Sequence, residues 1–420
     1  MNKPFYQETR LPDGPLVLSC AMPEAQSVAL GVFVDVGSRD EHAAQAGMSH
    51  ALEHMLFKGT KRMDVHALAE KLDELGGNAN AFTSRERTCF HLHVLHEHWQ
   101  ESLAVLMDMV LEPALPADEW QREREVIYAE MAMVDDTPEE WVMDQHVEAL
   151  FPDHALGRPV LGTHQALSEM NAGALRSYLQ QHYSDGRLLI AAAGRIDHGE
   201  LVDALSALSF PQTDRALDRL PPATLARGLQ PLERDGEQAQ MVLSYPGITV
   251  ASDERPVAWL ANQMLGGGMS SRLFREVREK RGLAYSIGSH LSMLSDTGVW
   301  SVTCGSEPSR ADECAAVLQD VLGGFAADIG AEELERAKRQ LEVQFRMGLD
   351  SVEGQMLHLG GRQDEAVLLS PLQWLEKIRS VDVETVRSWS QQKLQQGKLW
   401  SIAAPECALT QVCDRIGPSC

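Results

Sequence analysis

His50-Ala51-Leu52-Glu53-His54 places two imidazoles and a carboxylate within five residues. In a helix, the i,i+4 spacing puts both rings on one face, a turn apart, and that suits a single metal ion. Neutral imidazole nitrogens are good zinc ligands, and Glu53, three residues from His50, leans toward the same face, where it can take a proton from an attacking water. The order HxxEH reverses the HExxH zinc signature. Two histidines leave such a site one protein ligand short if the fourth position is to stay open for water. In the acidic stretch from Asp118, Glu123 and Glu130 stand seven residues apart, two turns along one helical face. Glu130 fits the third ligand, with Glu123 as a supporting carboxylate that orients an imidazole. Spacing alone leaves Glu119, Glu125 and Glu140 as competitors.

The elements that must position these residues follow from periodicity. Asp13-Gly14 reads as a turn, and Val28 to Val36 alternates as a strand with one buried face. Gly47 to Phe57 and Val65 to Leu75 carry helical spacing, and Thr88 to Leu95 returns to period two. Helices are predicted over Glu97 to Val110, Asp118 to about Val134 and Ala172 to His182, with Pro116 and Pro138 bracketing the second. Leu188 to Gly194 reads as a central strand. Pro211, Pro221 and Pro222 mark a stretch at 211–232 where helix and strand signals both fail. Beyond it the order recurs. Ala239 to Gly247 follows the first strand by about 210 residues, Leu399 follows Leu188 by 211, and VRSWSQQKL from Val386 answers LRSYLQQHY from Leu175. The expectation is an α+β fold made by tandem duplication, each domain an antiparallel-rich mixed sheet packed against helices. Its parts would be a metal-binding domain at 1–215, a linker at 216–232 and a homologous domain at 233–420.

Composition narrows the partners. The 420 residues carry 37 Lys plus Arg against 61 Asp plus Glu, a formal charge of −24, which disfavours nucleic acid and anionic membranes by long-range repulsion. No run approaches the roughly 18 apolar residues of a membrane span, and the first residues lack a signal-peptide pattern, so the expected location is the cytoplasm rather than the periplasm. Seven scattered cysteines without CxxC spacing indicate neither a disulfide framework nor a thiolate zinc knuckle.

The segment GMSHALEHMLFKGT from Gly47 to Thr60 resembles the active-site helix of the pitrilysin and insulinase family of zinc metallopeptidases, particularly its mitochondrial-processing-peptidase-like branch. The likeness continues through LGGNANAFTSRERTCF from Leu75, GRPVLGT from Gly157 and LGGGMSSRLFREVREKRGLAYSIGS from Leu265, so that with the duplication it covers nearly the whole chain. It implies one zinc ion per subunit on His50, His54 and Glu130, Glu53 as base, and Glu123 as the additional carboxylate, which decides among the acidic competitors.

The resemblance also implies how substrate is held. Gly76 to Ser84 reads as a turn and a short strand of small residues; in the family this strand lies at a sheet edge, where an extended peptide adds by main-chain pairing, making Asn78, Asn80 and Ala81 expected contacts. Arg278 and Tyr285 fall at the family's substrate clamp, a cationic fork for a peptide carbonyl or carboxylate and a phenol for the scissile carbonyl or its oxyanion. The implied function is zinc-dependent endoproteolysis of unfolded peptides in a chamber completed by a homodimer or a homologous partner subunit, the zinc domain of one subunit facing the clamp domain of the other. Rival readings are a protease dedicated to one ribosomally made precursor and a noncatalytic chaperone-like subunit. The second is disfavoured because such relatives lose the zinc motif or the clamp region, and this chain keeps both.

Overall fold

Runs of period two become strands and runs of period 3.6 become helices, with ends within a few residues of those expected. The structure is a computed structural model and describes residues 5–12, 14–212, 217, 219, 224–361 and 370–417. Asp13, Pro221, Pro222 and Cys420 lie outside the described residues. There are two compact units: the described parts of Met1–Met131, Arg158–Arg219 and Met347–Asp364 make the first, and those of Ala132–Gly157, Leu220–Arg346 and Glu365–Cys420 the second.

In the first unit, β1 (Phe5–Arg10), β2 (Leu16–Ala21), β3 (Ser27–Val34), β4 (Asn78–Thr83), β5 (Thr88–Leu95) and β6 (Leu188–Gly194) form a six-stranded sheet in the order β1-β2-β6-β3-β5-β4. All neighbours are antiparallel except β2 and β6. Against one face lie α1 (Met48–Leu56), α2 (Val65–Glu74), α3 (Trp99–Leu111) and most of α4 (Ala117–Asp136), whose apolar side chains share a core with Val28, Leu30, Val32 and Val34 of β3. The alternate residues Ala29 and Phe33 are buried too. That differs from the single buried face expected of this strand, and the cause is the helix Val352–Gly360, which packs on β2, β3 and β6. A Cβ on Gly31 would collide with Met356, and one on Gly360 with the Phe33 ring, so both glycines permit the close approach.

The second unit repeats the plan. β7 (Gly228–Glu233), β8 (Ala239–Pro246), β9 (Ala284–Met293), β10 (Gly298–Ser306) and β11 (Leu399–Ala404) follow the order β7-β11-β8-β10-β9, with β7 and β11 the one parallel pair. This is the β2-β6-β3-β5-β4 pattern again. Residues 228–232, inside the stretch expected to be linker, form β7 together with Glu233; Pro231 is tolerated because β7 is an edge strand. Here α5 (Pro138–Leu150) covers β8 and β11, and its buried His146 bonds to Ser244 and Ser401 at 2.7 and 2.8 Å. Sequence order and compact units thus diverge at two helices. Each sheet needs a cover on its second face, and each takes it from the other half of the sequence. Among the described residues no single helix is long and apolar enough to cross a membrane, and the described cysteines are free thiols.

Candidate metal centre

α1 starts at Gly47, whose φ of 93° lies in the left-handed region and whose Cβ, if present, would sit 2.7 Å from the Leu161 carbonyl oxygen. The helix buries Met48, Ala51, Leu52, Met55 and Leu56 in the core, leaving His50 and His54 together on the remaining face with ring centroids 4.6 Å apart. α4 buries Trp120, Glu123 and Ile127 at helical spacing, and Glu130 continues that face. Glu130 Oε2 lies 3.6 Å from His50 Nε2 and 3.6 Å from His54 Nε2. One donor atom from each of the three residues falls within 4.8 Å of the other two. Zinc bonds of about 2.1 Å in tetrahedral geometry would separate two ligand atoms by about 3.4 Å, so the donor set fits zinc, and three protein ligands leave a fourth position open. Glu119 and Glu125 pair instead with Arg122 and Arg124.

The surrounding groups differentiate the two histidines. His54 Nδ1 meets Glu123 Oε2 at 3.0 Å, leaving Nε2 for a metal, while Lys58 Nζ holds the other Glu123 oxygen at 2.7 Å. Burial pushes the Glu123 carboxyl up, but the hydrogen bonds from Lys58 and His54 outweigh it and the group ends below its ordinary value. His50 has its Nδ1 buried without a hydrogen-bond partner among the described residues. Burial, helped by neighbouring His54, drives its pKa down to about 4, so the ring is in the neutral form that ligates metals. Glu53 is half-buried, and burial raises its carboxyl, opposed by Thr83 and His54 and reinforced by Glu130. Thr83 Oγ1 donates to Glu53 Oε2 at 2.5 Å.

Thr83 ends β4, the edge strand, so Glu53 is tied to the strand expected to hold substrate. Asn78 and Asn80 of β4 are exposed and Ala81 half-buried; the Ala81 N–H donates to the Asn80 side chain at 2.9 Å. In the second unit, Arg278 belongs to a widened helical turn, Phe274–Glu279, and donates from Nη1 to the Tyr285 carbonyl at 2.7 Å. Its guanidinium lies over the rings of Phe274 and Tyr285, 4.7 and 4.8 Å from their centroids. Tyr285, 79% exposed, stands on β9, the edge strand equivalent to β4. Sequence reading passed over Lys58 and Thr83. Only Lys58 carried a signal, its four-residue spacing from His54; Thr83 reaches the site through the fold.

Two family models match the chain: insulinase, peptidase family M16, over residues 16–164, and the peptidase M16 inactive domain over residues 169–341. An uncharacterized zinc protease of Streptomyces coelicolor is 34% identical over 95% of this chain and 89% of its own. The uncharacterized zinc protease YmxG of Bacillus subtilis is 33% identical over 91% of this chain and 94% of its own. Among solved structures, a peptidase M16 inactive domain from Pseudomonas fluorescens superposes with a TM-score of 0.88 at 22% identity, covering 95% of this chain and 98% of that one. A protease from Helicobacter pylori gives 0.87 at 19%, covering 96% and 100%. At these identities the two structures speak to the fold.

Proposed function

The chain belongs to the insulinase family, peptidase family M16, and is a zinc metallopeptidase; from that premise we propose that it cleaves extended peptides internally, with Glu53 as base and His50, His54 and Glu130 holding one zinc ion per subunit. The observation that carries the reading is the convergence of the His50, His54 and Glu130 donor atoms beside a carboxylate hydrogen-bonded to an edge strand. A zinc ion there would supply Lewis acidity, acidifying a water and polarising the scissile carbonyl. Glu53, with Oε2 engaged by Thr83, takes the water's proton on Oε1 and returns it to the leaving amine. Glu123 holds His54 so that Nε2 faces the site.

Substrate is held by main-chain pairing along β4, where Asn78, Asn80 and Ala81 make the contacts and an incoming carbonyl displaces the Asn80 side chain from the Ala81 N–H. The Tyr285 phenol donates to the carbonyl oxygen as it becomes an oxyanion, and Arg278, stacked against it, binds peptide carbonyl or carboxylate groups. The reading extends to a second copy of the chain, or a homologous subunit, as the partner that completes a chamber, as in the mitochondrial-processing-peptidase-like branch. Sedimentation velocity with metal analysis reads that stoichiometry.

The decisive experiment incubates zinc-loaded wild type and Glu53→Gln with a mixed peptide library and identifies products by mass spectrometry. Internal cuts by wild type, lost in Glu53→Gln with zinc retained, are expected. Absence of cuts by fully zinc-loaded wild type refutes a self-sufficient peptidase.

A further inference from the structure

Six residues before Gly47, the N-cap of α1, Glu41 has only 4% of its surface exposed, and burial pushes its carboxyl up to about 8 against the N–H donors of Ser49 and Gly47. Its two oxygens are divided between backbone donors at the start of α1: Oε2 accepts from the Gly47 N–H at 2.8 Å and Oε1 from the Ser49 N–H at 2.7 Å. These are groups that a helix N-terminus leaves without intrahelical partners, and the two Glu41 oxygens satisfy them. No conventional cap competes, since the N-cap is Gly47, which has no side chain to offer. The Arg158 guanidinium donates to the Glu41 main-chain carbonyl, fixing the residue that does the capping. From the other side Ser49 Oγ meets the buried Tyr178 hydroxyl at 3.1 Å.

Glu41 is itself attached to the strand beside the site. Just before it, the Ser38 and Arg39 N–H groups donate to the carbonyls of Ser84 and Arg85 at 3.2 and 2.7 Å, and Arg39 forms a buried ion pair with Glu86 at 2.5 Å. Those acceptors form the turn between β4 and β5 and directly follow Thr83, the donor to Glu53. One short segment therefore fixes the start of the helix bearing both histidines and the turn of the strand that orients the base.

We propose that Glu41 is a positioning residue of the metal centre, setting the direction in which α1 presents His50 and His54 to Glu130. The inference rests on the reading of that cluster as a zinc site. Glu41 touches neither metal ligand nor substrate; it acts through the first turn of the helix. Glu41→Gln keeps the size but turns one acceptor into a donor aimed at a backbone N–H, so the helix start must shift.

The test uses full-length, metal-free wild type, Glu41→Gln and Arg158→Met. Zinc affinity is measured by competition with a chromogenic chelator, and the thermal midpoint is read on the same metal-free samples. Glu41→Gln is expected to stay folded and bind zinc about tenfold more weakly, the low end for a lost supporting partner of a metal ligand. A lowered midpoint with wild-type zinc affinity overturns the proposal, because Glu41 would then serve the fold alone. If Glu41→Gln does not fold, Arg158→Met decides, since it frees the Glu41 carbonyl while leaving the carboxylate cap. Several-fold weaker zinc binding supports positioning, and equality with wild type overturns it. Failure of the underlying reading is separately visible, as wild type would then take up no zinc.

Discussion

Glu123→Gln tests the chain of contacts from Lys58 through Glu123 to His54. Glu123 has 8% of its surface exposed, so its partners see little solvent. An amide placed there can still accept from His54 Nδ1 through its oxygen, but its NH2 group then faces the Lys58 ammonium, donor against donor, where an oxygen now sits 2.7 Å away. Two effects follow. The imidazole loses a charged acceptor, which for a metal-supporting partner weakens metal binding about 10- to 100-fold, or about 1.4 to 2.8 kcal/mol. The frustrated donors add part of the about 1 to 3 kcal/mol that an unmade buried hydrogen bond costs. Lys58→Met alone should be milder, a few-fold, because Glu123 keeps its bond to His54. Combined with Glu123→Gln it removes the opposing donor, and about 1 kcal/mol, roughly fivefold in affinity, should return. Chelator competition on the four proteins gives the cycle directly. The double variant should bind zinc more tightly than Glu123→Gln. If the losses multiply instead, or if Glu123→Gln matches wild type, the contact chain does not act on His54 as described.

Three further outcomes are expected. Thr83→Val keeps the shape but removes the donor to Glu53, so kcat should fall about tenfold or more at unchanged zinc content while Thr83→Ser retains activity; equal rates for the two variants would show that the hydroxyl does not position the base. Gly162→Ala places a Cβ against the Ala46 carbonyl at a φ of 84°, so the denaturation midpoint should drop in step with a loss of about 2 kcal/mol or more, and an unshifted midpoint counts against this backbone contact. Burial pushes His146 down from 6.5 to about 4, so the unfolded chain binds the extra proton between those values. Stability from this group is complete above pH 6.5 and lost as pH falls toward 4, by about 3 kcal/mol in all. Urea midpoints measured across that range should fall less steeply in His146→Gln than in wild type, and parallel curves would contradict the assignment.

How much of this was legible beforehand depended on the range of the forces involved. Thr88 to Leu95 and Ala172 to His182 end where periodicity placed them, because alternation and a good cap, here Asn171 on the next helix, are local signals. The histidine pair was legible for the same reason. Glu130 could be ranked above Glu119 and Glu125 only through family resemblance, because the arginines that engage its competitors share their helix and spacing could not say who pairs with whom. The second buried face of β3 was hidden, since the helix that covers it lies more than 300 residues later in sequence. β7 was missed because an edge strand containing Pro231 shows no alternation; none of its residues is fully buried, and pairing with β11 holds it in place. Glu41 and Thr83 act through contacts that only the folded backbone creates.

The duplication explains why one copy holds metal-site chemistry and the other does not. The helix after β8, Arg255–Gly266, occupies in the second unit the place of α1, yet its sequence RPVAWLANQMLG contains no histidine or carboxylate, and Ala258, Leu260, Ala261, Met264 and Leu265 are buried. A polar face on so enclosed a helix has to be satisfied. In the first unit that takes Glu130 and Glu123 from α4, Lys58 beyond the helix end and Thr83 from the edge strand. In the second unit the corresponding acidic helix, Ala331–Gly348, has two of its carboxylates engaged by arginines: Glu333 with Arg272 at 2.7 Å and Glu342 with Arg379 at 2.6 Å. From Arg255–Gly266, Gln263 donates to Gln340 of that acidic helix at 3.2 Å, so histidines placed there would meet an amide in place of a carboxylate and would bury imidazoles at a cost that no metal offsets. The second copy instead exposes Tyr285 on its edge strand with Arg278 stacked against it, the pair proposed to hold substrate. One scaffold thus presents its candidate functional groups in two different places, on a supported helix in the first unit and on a solvent-facing strand in the second.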